Sequence, residues 1–308
     1  MDWLYVDFPV SGVHTSIFLP PLVAFAVSFF SSMGGVSGAF FLLPYQVSVF
    51  NFTTPSVTST NFVYNVIAIP SGIYRYIRDG RMAWPLAGII VAGTLPGVFL
   101  GYYIRILFLP DPGVFRLFVG CVLFYIAFHL LYETFRTRRR SQAPPKIPGR
   151  DSSRRDPFPR IESMAISIRE IEYAFGGERF SIGTAGIFSV AFFVGVIGGA
   201  YGIGGGSILA PFCVAFYGLP VYTVAGAALL GTFLTSIAGV LFYSVMPVHP
   251  GISTTPDWLL GALFGIGGFL GMYCGARLQR FVPQTFIKTM LALIMLFISC
   301  RYILKYFA

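Results

Sequence analysis

The chain has 308 residues, of which 56% are hydrophobic and 11% charged, with 21 Lys and Arg against 12 Asp and Glu; its mean hydropathy is +0.75. Soluble domains carry about 25% charged residues, so a water-soluble fold would have too few charges to cover this much apolar surface. The formal charge of +9 does not point to nucleic acid, because eleven of the 21 basic residues lie between Glu133 and Ile182, directly after an apolar stretch.

In chain order, residues 1–16 read as an extracytoplasmic tail: the start, Met1-Asp2-Trp3-Leu4-Tyr5-Val6-Asp7, has acids and no basic n-region, so a cleaved signal peptide is not expected. Residues 17–132 form a first transmembrane repeat with apolar segments near 17–32, 40–50, 57–74, 84–104 and 114–132. The second of these has eleven residues. As a helix it reaches about 17 Å, against a hydrocarbon core of about 30 Å, so it reads as half of a discontinuous or re-entrant element. Residues 133–182 are a linker holding eleven of the 21 basic residues and opening Arg136-Thr137-Arg138-Arg139-Arg140. Basic residues directly after a span mark a cytoplasmic loop, here one that can also touch anionic lipid. Residues 183–308 form a second repeat with segments near 183–199, 207–217, 223–245, 258–276 and 286–302.

The two repeats carry the same features in the same order. Gly35-Val36-Ser37-Gly38-Ala39-Phe40-Phe41-Leu42-Leu43-Pro44 matches Gly202-Ile203-Gly204-Gly205-Gly206-Ser207-Ile208-Leu209-Ala210-Pro211 at an offset of 167. That offset also places Val57 on Val224, Asn65 on Thr232, Gly72 on Gly239 and Tyr76 on Tyr243. An offset of 174 places Trp84 on Trp258 and the ladder Gly93, Gly97, Gly101 on Gly267, Gly271, Gly275. Such ladders allow close helix packing. With the linker cytoplasmic and an odd number of crossings per half, 17 of the 21 basic residues fall inside; Arg105, Arg116, Arg301 and Lys305 are the exceptions. The expected fold is therefore an all-α polytopic membrane protein of two inverted repeats with the N-terminus outside.

Short, glycine-interrupted segments at matching positions of inverted repeats point to a transport site near the midplane. Unwound backbone is tolerated there only where protein covers it or it lines a cavity. The ends of the short helices can offer N–H groups and a positive dipole end to an anion. The candidate substrate-binding residues are Gly35, Ser37 and Gly38 in the first break, and Gly202, Gly204, Gly205, Gly206 and Ser207 in the second. The helix after each break adds Thr58, Asn61 and Asn65 on one face, and Thr232, Thr235 and Ser236. Amides and hydroxyls donate to an anion without a fixed charge; the competing role for them is interhelical hydrogen bonding. Thr60, Tyr64 and Ser71 are weaker candidates. No carboxylate lies within a span, which disfavours a proton relay or cation site. Asp257 reads as a helix N-terminal charge and His129 as interfacial. The four cysteines lack C-x-x-C pairing, and no G-K-[ST] follows the second glycine run, so metal, catalytic, cofactor and nucleotide roles are not expected.

With the duplicated G-x-[GS]-G motif and its trailing proline in hand, the chain resembles the TauE/SafE family of sulfite and organosulfonate exporters, in the 4-toluene sulfonate uptake permease superfamily. The run from Gly202 to Pro211, then Ala225-Gly226-Ala227-Ala228 and residues 232–236, carries the resemblance. It implies a secondary carrier in the cytoplasmic membrane exporting sulfite, sulfoacetate or related sulfonates. A passive anion channel, and an uptake permease for a sulfonate or other small carboxylate or sulfur anion, are the alternatives. The first copy departs from the family pattern, with Ser37 and Ala39 in place of glycines. The partners expected are the small anion and the bilayer; oligomeric state is open.

Overall fold

The computed structural model describes residues 4–109, 111–140, 161–167, 169–175, 178–246, 253–279, 282 and 284–307. Among them are α1 (Leu19–Met33), α2 (Ala39–Val49), α3 (Ser56–Arg78), α4 (Trp84–Leu107), α5 (Pro112–Arg140), α6 (Thr184–Tyr201), α7 (Leu209–Tyr217), α8 (Val221–Val245), α9 (Trp258–Leu278) and α10 (Gln284–Phe307). Residues 141–160 of the basic linker lie outside the described residues, as do its expected lipid contact, His249 and Arg280.

Helices α4, α6 and α9, with residues Pro112–Tyr132 of α5 and Thr223–Val245 of α8, are long and apolar enough to cross a bilayer. Their outward residues are apolar too, with Leu100, Phe128, Phe193, Leu241 and Leu270 exposed. The chain is a multi-pass, mainly helical membrane protein. The 23-residue α3 is long enough to span, but its Ser56, Thr58, Ser59, Thr60, Asn61, Asn65 and Ser71 all face the protein interior. Lipid therefore never meets them, and hydropathy undervalues this helix.

Two small sheets lie outside the helices. β1 (Tyr5–Phe8) and β2 (Val13–Ser16) form an antiparallel hairpin whose Ser11 hydroxyl donates to Asp257 Oδ2 at 2.8 Å. Asp257 also accepts from Leu260 N at 3.2 Å, capping α9 as its position before Trp258 indicates. Within the linker, β3 (Ile161–Ile166), β4 (Glu170–Phe175) and β5 (Glu178–Gly183) form an antiparallel sheet in the order β3-β4-β5. It docks at the start of α8 through a 2.9 Å hydrogen bond between Tyr173 and Thr223 hydroxyls.

Contacts along the helices fix their directions. Asp257 N donates to Thr60 Oγ1 at 2.9 Å, where α3 and α9 begin. At their other end, Tyr76 donates to Gln279 Oε1 at 3.1 Å and Gln279 donates to Met33 O at 2.8 Å. Helices α1, α3 and α9 therefore run the same way. Helix α8 runs against α3: Gly72 meets Leu229, Asn65 meets Ser236, and Gly239 meets Phe62. Helices α5 and α10 are also antiparallel, with Gly113 beside Tyr306 and Ser299 bonded to Gly120 O.

The glycine ladders seat helices of opposite halves against each other. A Cβ on Gly93, Gly97 or Gly101 of α4 would strike the carbonyls of Phe188, Phe192 and Val196 on α6. One on Gly267, Gly271 or Gly275 of α9 would strike those of Pro21, Phe25 and Phe29 on α1. At the 167 offset, Pro21, Phe25 and Phe29 fall on Phe188, Phe192 and Val196, and Phe62 falls on Leu229. The contacts are reciprocal between the halves.

Candidate functional site

At each break the chain stops its long first helix, turns, and sends a short helix back. Gly34 and Gly35 follow α1, with Gly35 at φ +72°; Gly202 caps α6 at φ +86°. The left-handed backbone at these two positions makes the turn possible without a Cβ penalty. The copies diverge two residues on: Gly204 is at φ +81°, whereas Ser37 is not left-handed. The first copy can therefore hold a serine where the second needs glycine, and the serine brings a hydroxyl into the site. Helix α2 then returns along α3, since Ser37 stands beside Asn65 and Gln46 beside Asn61. It runs antiparallel to α1.

Near the middle of α3 and α8 the two breaks meet. Asn65 Nδ2 donates to Ile203 O at 3.1 Å and to Ser236 Oγ at 3.1 Å, while Asn65 Oδ1 accepts from Ser37 Oγ. One amide therefore joins the first break, the second break and α8. Ser207 Oγ donates to Ile203 O at 2.7 Å and lies 3.3 Å from Thr232 Oγ1; Gly205 N donates to Thr235 Oγ1 at 3.0 Å. Gly206 sits against Ala228 O and Thr232, so closely that no side chain fits. Gly38 lies against the Tyr64 hydroxyl, which pairs with Ser28 at 2.6 Å. Ser37, Asn61, Asn65, Ser207, Thr232, Thr235 and Ser236 are all fully buried, so the described conformation is closed to water.

The sequence-derived set falls into three groups. Ser37, Asn65, Gly205, Ser207, Thr232, Thr235 and Ser236 form the centre, where the carbonyl of Ile203, outside the predicted set, is a shared acceptor. Asn61 stands apart beside Gln46, whose Nε2 donates to Asn61 Oδ1 at 2.8 Å. Thr58 lies further along α3, against Gly202 and 3.4 Å from Arg105 Nε. Of the weaker candidates, Thr60 and Ser71 are tied to backbone between helices: Thr60 to Ser56 O and Asp257 N, Ser71 to Phe269 O.

The helix ends offer less than their dipoles promise. The N–H groups of Ala39, Phe40 and Phe41 are bonded within the first turn, to Ser37 Oγ, Ser37 O and Gly38 O. Leu209 N bonds Gly206 O. The donors able to exchange partners are therefore the side chains. Asn61 Nδ2 is a buried donor with no partner, as Gln46 Oε1 is a buried acceptor with none. An unmet buried polar atom costs about 1–3 kcal/mol, a cost that an anion accepting from Asn61 removes. Rotating both amides leaves one donor and one acceptor unmet all the same.

Sequence reasoning missed Gln46 and Arg105. Gln46 is the sole amide in an apolar eleven-residue helix, and that lone amide was the available signal. Arg105 near the end of α4 looks like an interfacial cation, yet it is fully buried, lies 3.7 Å from the Phe115 ring centroid, and donates to Thr53 O at 3.2 Å and to Leu109 O.

Residues 21–302 match the family described as sulfite exporter TauE/SafE. The chain is similar to the probable membrane transporter protein YunE of Bacillus subtilis (strain 168), at 23% identity over 279 residues covering 88% of this chain and 92% of the relative. No solved structure matches the chain significantly. A match from the first turn of α1 to the last turns of α10, over both glycine breaks and the helices that enclose them, means that the chain belongs to the TauE/SafE family of membrane transporters.

Proposed function

We propose that the protein is a secondary transporter that exports small sulfur oxyanions, of the sulfite or sulfoacetate kind, across the cytoplasmic membrane. Its two inverted halves, 17–132 and 183–308, rock about the centre at Asn65. The observation that carries this reading is the junction at Asn65, where one buried amide ties both breaks together between antiparallel α3 and α8. Equivalent helices that lie side by side and antiparallel are what a twofold axis in the membrane plane produces, and the reciprocal ladder contacts agree with it. The centre supplies amide and hydroxyl donors without a buried acid, a set suited to an anion. The family's description supplies sulfite as the first substrate to test. In this reading the N-terminal hairpin and Asp257 are outside, and the linker sheet is cytoplasmic.

The test is flux of labelled sulfite, sulfoacetate and sulfate in proteoliposomes, for the wild type, Asn65→Ala and Thr232→Ala. Saturable flux with counter-flow is expected from a carrier and not from a channel. Asn65→Ala, which unties three partners, should reduce flux at least tenfold. Unchanged flux in both variants sinks the site assignment.

A further inference from the structure

Arg105 is the feature that the central site does not use. Its guanidinium is fully buried close to the end of the bundle where α3 and α9 begin, and it forms no ion pair among the described residues. Arg81, also buried, by contrast pairs with Asp79 at 2.6 Å. The partners of Arg105 are the Thr53 and Leu109 carbonyls, Thr58 Oγ1 and the Phe115 face. These are dipoles and a ring quadrupole: they orient the cation without cancelling its charge. The described bonds use three of the five guanidinium N–H donors. A buried charge with no counter-charge is strongly unfavourable, so the position favours an anion.

A second, independent observation lies one turn back on α4. The Tyr102 hydroxyl is buried and has no hydrogen-bond partner. Its ring packs edge-on against Tyr243, 4.9 Å between centroids, and Tyr243 lies within electrostatic reach of Arg105 and beside Thr58. Thr58 stands on the same face of α3 as Asn61 and Asn65, so one polar stripe, about 10 Å long at 1.5 Å per residue, joins Arg105 to the centre.

We propose that Arg105, Tyr102 and Thr58 form an outer anion subsite for the charged oxygens of a sulfite- or sulfonate-type oxyanion, ahead of the centre at Asn61 and Asn65. The subsite rests on the reading of the protein as an anion transporter, but its occupancy can be measured without transport. Arg105 supplies the counter-charge, Tyr102 and Thr58 supply hydroxyl donors, and the stripe leads the ion inwards.

The experiment is thermal stabilisation of the purified full-length protein in detergent, titrated with sodium sulfite, sulfoacetate or sulfate against equal ionic strength of chloride. A ligand bound to the folded state raises the midpoint in proportion to ln(1 + [L]/Kd). The wild type should be stabilised by the sulfur oxyanions over chloride. Tyr102→Phe keeps the ring and removes only the unmet hydroxyl: its ligand-free midpoint should rise, and its apparent Kd should weaken about tenfold, or about 1.4 kcal/mol. Arg105→Gln should abolish stabilisation and Arg105→Lys should restore part of it. Gly88→Ala, near the other end of α4 with nothing within 4 Å of its added Cβ, should keep it. A wild type no more stable in sulfur oxyanions than in chloride overturns the subsite, and so does Tyr102→Phe with an unchanged apparent Kd. Stabilisation that depends on Arg105 and Tyr102, in a protein without flux in liposomes, upholds the subsite and overturns the transport reading.

Discussion

Gly97→Ala places a methyl group where α4 and α6 lie closest. The added Cβ would stand 2.8 Å from Val196 N, and nearer still to Phe192 O. Ordinary contact starts at about 3.4 Å, and both struck atoms are backbone, so no rotamer relieves the clash. The helices must part by at least roughly 0.6 Å, a gap that forfeits about a quarter or more of each dispersion contact it opens. A well-packed side-chain contact comprises about 40–60 atom pairs at about 0.1–0.2 kcal/mol each, or about 4–12 kcal/mol; a quarter of that is about 1–3 kcal/mol. Overpacked cores show the same range. Gly88→Ala is the matched control, on the same helix with nothing within 4 Å of its Cβ. There alanine should be neutral or should stabilise by up to about 0.5–1 kcal/mol, because glycine is the poorer helix former. Thermal denaturation in detergent, followed by loss of the monodisperse peak, ranks the two. Gly97→Ala melting with or above Gly88→Ala would refute the seating of α6 in this ladder.

Two further expectations concern the ends of the bundle. Burial pushes the Tyr173 hydroxyl up to about 12 from its ordinary 10. A raised phenol pKa stabilises the docked sheet fully below about pH 10, and that contribution is lost as pH rises towards about 12. The difference in phenolate absorbance between wild type and Tyr173→Phe should therefore appear near pH 12; an appearance near pH 10 sinks the docking of β4 on α8. For sidedness, Thr255→Cys and Ser181→Cys in a background without the native cysteines should label from opposite sides of intact cells, Thr255→Cys from outside, since both positions are exposed at opposite ends. Labelling from one side alone contradicts an odd number of crossings per half.

Much of this architecture is readable in the residues because duplication writes each feature twice. The ladder glycines and the two breaks recur at fixed offsets, and the structure brings both breaks to Asn65. Of the polar stripe on α3 only Asn65 has a polar counterpart, Thr232, while Thr58 and Asn61 fall on Ala225 and Ala228. An eleven-residue apolar segment does not show by itself which helix it returns along; the Ser37–Asn65 and Gln46–Asn61 pairs lay α2 antiparallel along α3. The linker sheet was missed although its signal is present. Glu170-Ile171-Glu172-Tyr173-Ala174-Phe175 alternates polar and apolar residues, and Gly176-Gly177 follows as a hairpin turn would require. A basic run beside a membrane span drew attention to charge and away from this period of two. Arg105 was illegible for another reason. Its burial depends on Thr53, 52 residues away in the chain, and on the backbone turning past the end of α4 at Leu109, and the helical face that a sequence displays shows neither.

The exchange of helices between halves bears on how the chain is made. Helix α4 receives α6 and α1 waits for α9, so neither half closes its tightest grooves with its own residues. During synthesis α1 stands with its backbone carbonyls facing lipid until some 240 further residues have been threaded into the bilayer. A chain interrupted before α9 leaves that groove open, and a second copy of the same nascent half carries the ladder glycines of α4 rather than those of α9. Two half-length fragments expressed together should therefore complete each other's grooves, where either alone leaves its own unfilled.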